Sequence, residues 1–221
     1  MNINEIAQFI DHTNLKPEST ITAIQQLCDE AKKYNFATVC IHPVYVRRAC
    51  KMLAESSVSV CTVIGFPLGA NVTDIKVKEA VQAIDDGATE IDMVIQIGAL
   101  KAGEIEIVGN DILRVVEVCH QKNALCKVII ETALLTQEEK IIACELVRKA
   151  GADFIKTSTG FGPGGATVDD VKLLAQQMQG TSIKVKAAGG IRSREDFDKM
   201  VIAGASRIGT SSGVKIMEGT K

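Results

Sequence analysis

Apolar positions along the chain follow two spacings. In some segments they recur every three or four residues, as at Ile21, Ile24, Leu27, Cys28 and Ala31, or at Ile105, Val108, Ile112, Val115, Val116 and Cys119, and these predict amphipathic helices. Between them lie short, nearly continuous apolar runs bounded by glycine, asparagine or hydroxyl residues, which predict strands buried on both faces. In order, the pattern gives a short helix over 4–9, a strand over 9–13, a helix over 19–34, a strand over 36–42, a helix over 44–55 and a strand over 58–65. After a loop at 67–71 come a helix over 73–86, a strand over 89–94, a loop over 98–103 and a long helix from Ile105 to Cys119. A strand over 126–132 leads to a helix opened by the Thr136/Glu139 capping box and ended at Gly151. The strand at 152–157 follows, then helix starts at Thr167/Asp170 and Ser193/Asp196 separated by a strand over 183–187, a last strand over 206–209 and a terminal helix from Ser211.

Three junctions share one design: Asp-Gly-Ala before residue 89, and Ala-Gly-Ala before residues 153 and 206. Each predicts a helix closed by a left-handed glycine and followed at once by a strand, the short link of a repeating α/β unit. A parallel sheet must be covered by its crossover helices, so the choice narrows to an open doubly wound sheet or a closed barrel. Eight units in about 200 residues favour a (β/α)8 TIM barrel, with residues 1–221 as a single domain carrying a short N-terminal helix.

Composition mainly removes alternatives. The 221 residues, 46% of them hydrophobic, should bury roughly 70–75% of the unfolded chain's surface, enough for a core without staples. A formal charge of −2 and scattered lysines speak against a nucleic-acid partner. The seven cysteines, at 28, 40, 50, 61, 119, 126 and 144, form no C-x-x-C pair and predict reduced core residues of a cytoplasmic protein. The start shows neither a basic region nor an apolar signal core, and no apolar run approaches a membrane span.

In a barrel the chemistry belongs at the C-terminal ends of strands, so polar residues late in apolar strands carry the information. These are Asp11, Asp92, Glu131, Lys156 and Lys186. A lysine inside an apolar strand must be paired or neutral, and a neutral strand-end amine is what Schiff-base chemistry requires. Strand alternation sets Lys156 with Phe154 and Ser158 on one face, and Lys186 with Lys184 on a face of the next strand. If both lysines point inward, Lys186 makes Lys156 easier to deprotonate, and Asp92 can accept and return protons. A strand-end lysine is equally well a solvated rim residue; for Lys156 the two readings stay level, and for Lys184 the rim reading leads. Asp92 is as readily the partner of an interior cation such as Lys127, and both roles are compatible. Asp11 and Glu131 lean toward orientation, and Cys40 toward packing. His12, His42 and His120 show no metal-ligand spacing, so no metal is expected. The loops at 157–165, 187–193 and 209–213 each combine glycines with hydroxyls ahead of a helix, the makings of an anion cradle or simply of turns.

Seven ordered blocks then carry a resemblance: Cys-Ile-His-Pro (40–43), Val-Ile-Gly-Phe-Pro-Leu-Gly (63–69), Glu-Ile-Asp-Met-Val-Ile (90–95), Lys-Val-Ile-Ile-Glu-Thr (127–132), Phe-Ile-Lys-Thr-Ser-Thr-Gly (154–160), Val-Lys-Ala-Ala-Gly-Gly-Ile-Arg (185–192) and Arg-Ile-Gly-Thr-Ser-Ser (207–212). From Asp11 to Gly213 the chain resembles the deoxyribose-phosphate aldolase family. The resemblance implies a class I aldolase without metal or other cofactor, cleaving 2-deoxyribose 5-phosphate to glyceraldehyde 3-phosphate and acetaldehyde. By match to the family motifs it implies Lys156 as Schiff-base former and Asp92 with Lys186 as proton relay. It also implies phosphate contacts at Thr159, Gly160, Gly189, Gly190, Gly209, Ser211 and Ser212, and supporting places for Asp11, Cys40 and Lys127. A homo-oligomer, dimer or tetramer, is expected. Two departures stand out. Some members end in a tyrosine-bearing tail, whereas this chain ends Gly-Thr-Lys with tyrosines only at 34 and 45; some carry a basic residue after the loop glycine where this chain has Phe161. The rival readings are another Schiff-base aldolase of the same barrel type, and a phosphosugar isomerase or binding barrel whose lysines only attract anions.

Overall fold

The computed structural model describes residues 1–219. Eight strands, β1 (Ile10–Asn14), β2 (Thr38–Ile41), β3 (Ser59–Ile64), β4 (Glu90–Val94), β5 (Leu125–Ile129), β6 (Phe154–Lys156), β7 (Lys184–Ala188) and β8 (Arg207–Thr210), close in chain order into a parallel barrel. Around it run α1 (Ile3–Ala7), α2 (Ile21–Tyr34), α3 (Val46–Met52), α4 (Thr73–Asp85), α5 (Ile97–Lys101), α6 (Ile105–Gln121), α7 (Gln137–Ala150), α8 (Val168–Gln177), α9 (Arg194–Ile202) and α10 (Gly213–Glu218). The fold is the (β/α)8 barrel that the spacing of strands and helices predicts. Its helices start where the capping residues place them: Thr136 with Glu139, and Ser193 with Asp196, exchange reciprocal hydrogen bonds, and Thr167 accepts from the Asp170 amide. Gly87, Gly151 and Gly204, at the three repeated junctions, all have positive φ.

Differences are local. The predicted loop at 98–103 contains a helical turn, α5, and β5 ends at Ile129, so Glu131 lies beyond the strand in a left-handed conformation (φ 53°, ψ 65°). The apolar run through Ile130 continues past the strand because the connecting segment is itself buried. Thr220 and Lys221, the end that lacks a tyrosine, lie outside the described residues.

The packing has two compartments. Ile10, Val39, Ile91, Val128, Ile155, Val185 and Ile208 belong to one large apolar cluster with the helices. A smaller cluster of Leu15, Cys40, Cys61 and Val63, with Phe66 against it, is separate from that core. Charged side chains take the place that branched apolar residues occupy in an ordinary barrel interior.

Candidate active site

Lys156 ends β6, and its ammonium donates to Asp92 Oδ2 at 2.7 Å. Lys186, in register with it on β7, donates to the same oxygen at 2.7 Å and lies 2.5 Å from Asp11 Oδ2. Lys127, the register neighbour of Asp92 on β5, donates to Asp92 Oδ1 at 2.8 Å and lies 2.7 Å from Glu90 Oε2. Arg207 donates to Asp11 Oδ1 at 2.6 Å and to Glu90 Oε2 at 3.0 Å. A ribbon of alternating charge therefore runs through the barrel, and strand parity explains it: Glu90 and Asp92 are two apart on β4, and Lys186 is in register with Arg207.

Burial in this interior is nearly complete. Asp11, Asp92, Lys127 and Lys186 have no exposure, and Lys156 retains 3%. Burial alone would raise the Asp92 carboxyl, yet Lys127, Lys156 and Lys186 together hold it well below the usual carboxylate range. Asp11 is likewise held down, against burial, by Lys186 and then Arg207. Burial would strip the proton from Lys186, but Asp11 and Asp92 keep its ammonium well above the ordinary lysine value. Lys127 is held up in the same way, first by Asp92. Lys186 is thus a cation seated between two carboxylates, and it meets Lys156 through a shared oxygen.

Cys40 and Cys61, paired in register on β2 and β3, complete the ring. The Cys61 thiol donates to Asp92 Oδ1 at 3.1 Å and accepts from Lys127 at 3.1 Å. Its hydrogen bond with Cys40 draws the Cys40 thiol down, whereas burial pushes the Cys61 thiol well up. The ligand atoms of Cys40, Cys61 and Asp92 lie within 4.8 Å of one another, as do those of Asp11, Cys61 and Glu90. Ammonium groups already serve these donors, since Lys127 touches Cys61, Asp92 and Glu90. The donor set therefore suits lysine better than a metal ion.

Above the charged ring a cavity of about 620 Å³ opens at the C-terminal mouth, with Lys156 among its walls. Thr159, Gly160, Gly189, Gly190, Gly209 and Ser211 line it. Ser212 does not; its amide donates to Thr210 Oγ1 at 2.9 Å, which turns it back toward the strand. Gly189 and Gly190 have φ of 87° and 81°, values that side chains resist, and they leave the backbone facing the cavity bare. Glu131 is buried below the rim and accepts from the Thr159 amide at 3.1 Å and from its hydroxyl, tying down the loop after β6. Phe161 is half exposed at the rim and meets Phe66 edge to face, ring centroids 5.4 Å apart. Lys184 is exposed at the opposite end, with its ammonium near the Phe154 ring.

Sequence reasoning missed Glu90, Arg207 and Cys61. Parity was a usable signal for the first two, because each sits two residues before a position already singled out, Asp92 and Gly209. The cavity wall contributed by α2, including Gln26 and Glu30, and the His12–Glu30 pair at 2.7 Å left no comparable trace. Their approach depends on how the helix packs.

A carboxylate touching two ammonium groups, one of them facing a cavity with a glycine-lined wall, can take a proton from one amine and hand it to the other. Comparison with known proteins gives the geometry a setting. Residues 5–219 match the model of the DeoC/LacD family aldolase. The chain is 58% identical to the deoxyribose-phosphate aldolase of Thermococcus kodakarensis, over 99% of this chain and 98% of that protein. It is also 58% identical to that of Staphylococcus haemolyticus, with 96% of each covered. A tetrameric deoxyribose phosphate aldolase structure from Aeropyrum pernix superimposes with a TM-score of 0.92 at 35% identity, covering 98% of this chain and 91% of that one.

Proposed function

The chain belongs to the DeoC/LacD aldolase family, and on that premise we propose that it reversibly cleaves 2-deoxy-D-ribose 5-phosphate to D-glyceraldehyde 3-phosphate and acetaldehyde through an imine on Lys156. The observation that carries the imine is the shared Asp92 Oδ2, which touches both Lys156 and Lys186 at 2.7 Å. In the cleavage direction the Lys156 amine, relieved of its proton through Asp92, attacks C1 of the open-chain sugar. Water leaves as hydroxide plus a proton supplied from the Asp92–Lys186 pair, giving an iminium ion. The C3 hydroxyl then gives up its proton to Asp92, directly or through a water, the C2–C3 bond breaks, and its electron pair moves into the iminium to leave an enamine. Protonation at C2 and addition of water release acetaldehyde and restore the amine. No net oxidation or reduction accompanies the cleavage.

The phosphate belongs against Gly189, Gly190, Gly209 and Ser211, with Thr159 and Gly160 on the opposing loop, where bare backbone lines the cavity and helix α9 opens close by. Asp11, Lys127 and Cys40 support the reacting groups from below. Assembly as a homo-oligomer, a dimer or tetramer, has the support of the tetrameric Aeropyrum pernix relative. A cytoplasmic location has the support of seven unpaired cysteines. Among the described residues no helix is long and apolar enough to cross a membrane.

Borohydride reduction in the presence of acetaldehyde, followed by peptide mapping, tests the assignment. The expected result is a single ethyl adduct on Lys156 and parallel loss of activity. An unmodified Lys156 peptide in fully inactivated enzyme overturns it.

A further inference from the structure

Seven charged side chains from six strands meet inside the barrel: Asp11, Glu90, Asp92, Lys127, Lys156, Lys186 and Arg207. With ordinary charges they make four cations against three carboxylates, an excess of one. The Cys40–Cys61 thiol pair on β2 and β3 completes the ring. Lys156 alone of the four cations borders the cavity, and its one carboxylate oxygen is shared with Lys186. Lys186 and Arg207 each hold two carboxylates, and Lys127 holds three.

Glu90 and Arg207 form the floor of this ring. Arg207 faces Asp11 on β1 and Glu90 on β4, lies over the Phe154 ring of β6 at 5.2 Å, and is in register with Lys186 on β7. Glu90 faces Arg207 on β8 and Lys127 on β5, with Cys61 as its register partner on β3. Neither residue lines the cavity, so neither touches a bound sugar. A buried ion pair at such a place brings little stability that apolar packing would not supply. What it does fix is the charge count, and contacts relay that count upward from Arg207 through Asp11, Lys186 and Asp92 to Lys156.

We propose that Glu90 and Arg207 are positioning residues for the aldol reaction: through the contact chain Arg207–Asp11–Lys186–Asp92, Arg207 adds and Glu90 removes one unit of the buried charge that acts on the amine of Lys156. The proposal rests on the Lys156 imine, and it assigns opposite effects to the two members of one salt bridge. Arg207→Met leaves three cations against three carboxylates, so the acid limb of the activity profile should move to higher pH. Glu90→Gln leaves four against two, so the acid limb should move to lower pH. A unit charge deeper in the barrel, at an effective dielectric near 20, moves a titration by roughly one pH unit.

The test is the acid limb of the pH profile of kcat/KM, which reports groups on the free enzyme. The limb should rise by about one pH unit in Arg207→Met, fall by about one in Glu90→Gln, and return to within about 0.3 of wild type in the double variant. Arg207→Lys, which keeps the charge, should leave it in place. Shifts of the same sign, no shift, or a double variant that fails to return overturn the proposal, because a purely structural pair would lower activity without moving the limb in opposite directions. If Arg207→Met does not fold, Glu90→Gln decides alone: a limb that stays or rises refutes the assignment. Borohydride trapping on wild-type enzyme separates this from the imine itself, since an absent Lys156 adduct sinks the reading beneath, whereas a present adduct with unmoved limbs sinks only this inference.

Discussion

Lys156 and Lys186 are register partners on neighbouring strands, and their ammonium groups meet on one atom, Asp92 Oδ2, at 2.7 Å each. The two lysines are nonetheless unequal. Lys186 has a second carboxylate, Asp11, at 2.5 Å and no exposure, while Lys156 has only the shared oxygen and opens on the cavity. Chemical difference between identical side chains thus arises from one additional carboxylate and one missing wall.

The first consequence is that Lys156 can be removed without loss of the fold. Lys156→Leu takes away the excess cation and leaves three cations with three carboxylates, so no buried carboxylate loses its last partner. Turnover should become undetectable while the melting temperature stays within about 4 °C of wild type, under about 1 kcal/mol for a chain of this size. Retained activity would refute the assignment of Lys156.

Lys186→Met should behave differently. It strips Asp11 of its nearest lysine and Asp92 of one of three, leaving buried charge undercompensated. Breaking a buried pair from one side costs about 3–5 kcal/mol, so this variant should lose both activity and a large part of its stability. Melting curves of the two variants side by side make the comparison, and equal stability would contradict the proposed division of charge.

The depressed carboxyl of Asp11 fixes the sign of a pH effect. A carboxyl whose folded value lies below its unfolded value near 3.9 contributes stability that is fully present above about pH 4 and is lost progressively as pH falls from there through the folded value. Asp11→Asn removes that contribution at every pH. The difference in melting temperature between wild type and Asp11→Asn should therefore be constant from about pH 5 to 9 and close progressively as pH falls below about 4. Closure already at pH 5 would show that the carboxyl is not held down.

Phe161 offers a gain of function. It is half exposed at the cavity rim directly after Gly160, where no cation stands on the β6 loop. Phe161→Arg places a fork of donors beside the proposed phosphate position, and should lower KM for the phosphorylated sugar about 3- to 10-fold, with the gain shrinking at high salt. KM for unphosphorylated 2-deoxyribose should not follow it.

Barrel architecture was legible because it rests on local signals: glycine-closed helices at Gly87, Gly151 and Gly204, capping boxes at Thr136 and Ser193, and apolar runs too short for helices. Lys156, Asp92 and Lys186 stood out as charges inside such runs, which desolvation makes conspicuous. Glu90 and Arg207 were harder to see because each lies at the first residue of its strand, where a charge ordinarily reaches solvent. Only closure of the barrel brings β4 and β8 face to face across the interior. The identity of the Lys186 partners was hidden for the same reason, since Asp11 is separated from it by nearly the whole chain. Ser212 looked like Ser211 in sequence, and only the turn after β8 distinguishes them, through the Thr210 hydroxyl.

The loop after β6 and the loop after β7 touch at two glycines, and this contact allows the phosphate cradle to be tested apart from the chemistry. A Cβ built on Gly165 would lie 2.3 Å from the Gly189 carbonyl oxygen and 2.5 Å from its carbon, both backbone atoms that cannot turn aside. Gly165→Ala must therefore push Gly189 out of position, and with it the bare backbone proposed to receive the phosphate. Lys156, Asp92 and Lys186 lie on strands and should stay where they are. KM for 2-deoxyribose 5-phosphate should rise at least about tenfold, some 1.4 kcal/mol of lost binding, with kcat within about threefold of wild type and the unphosphorylated sugar nearly unaffected. Because Gly180 has open space around its missing Cβ and lies away from the cavity wall, Gly180→Ala is the matched control, costing only the strain of its positive φ, about 1 kcal/mol in stability. Equal KM values for the two variants would separate the phosphate from the Gly165–Gly189 contact and move its site elsewhere along the cavity wall.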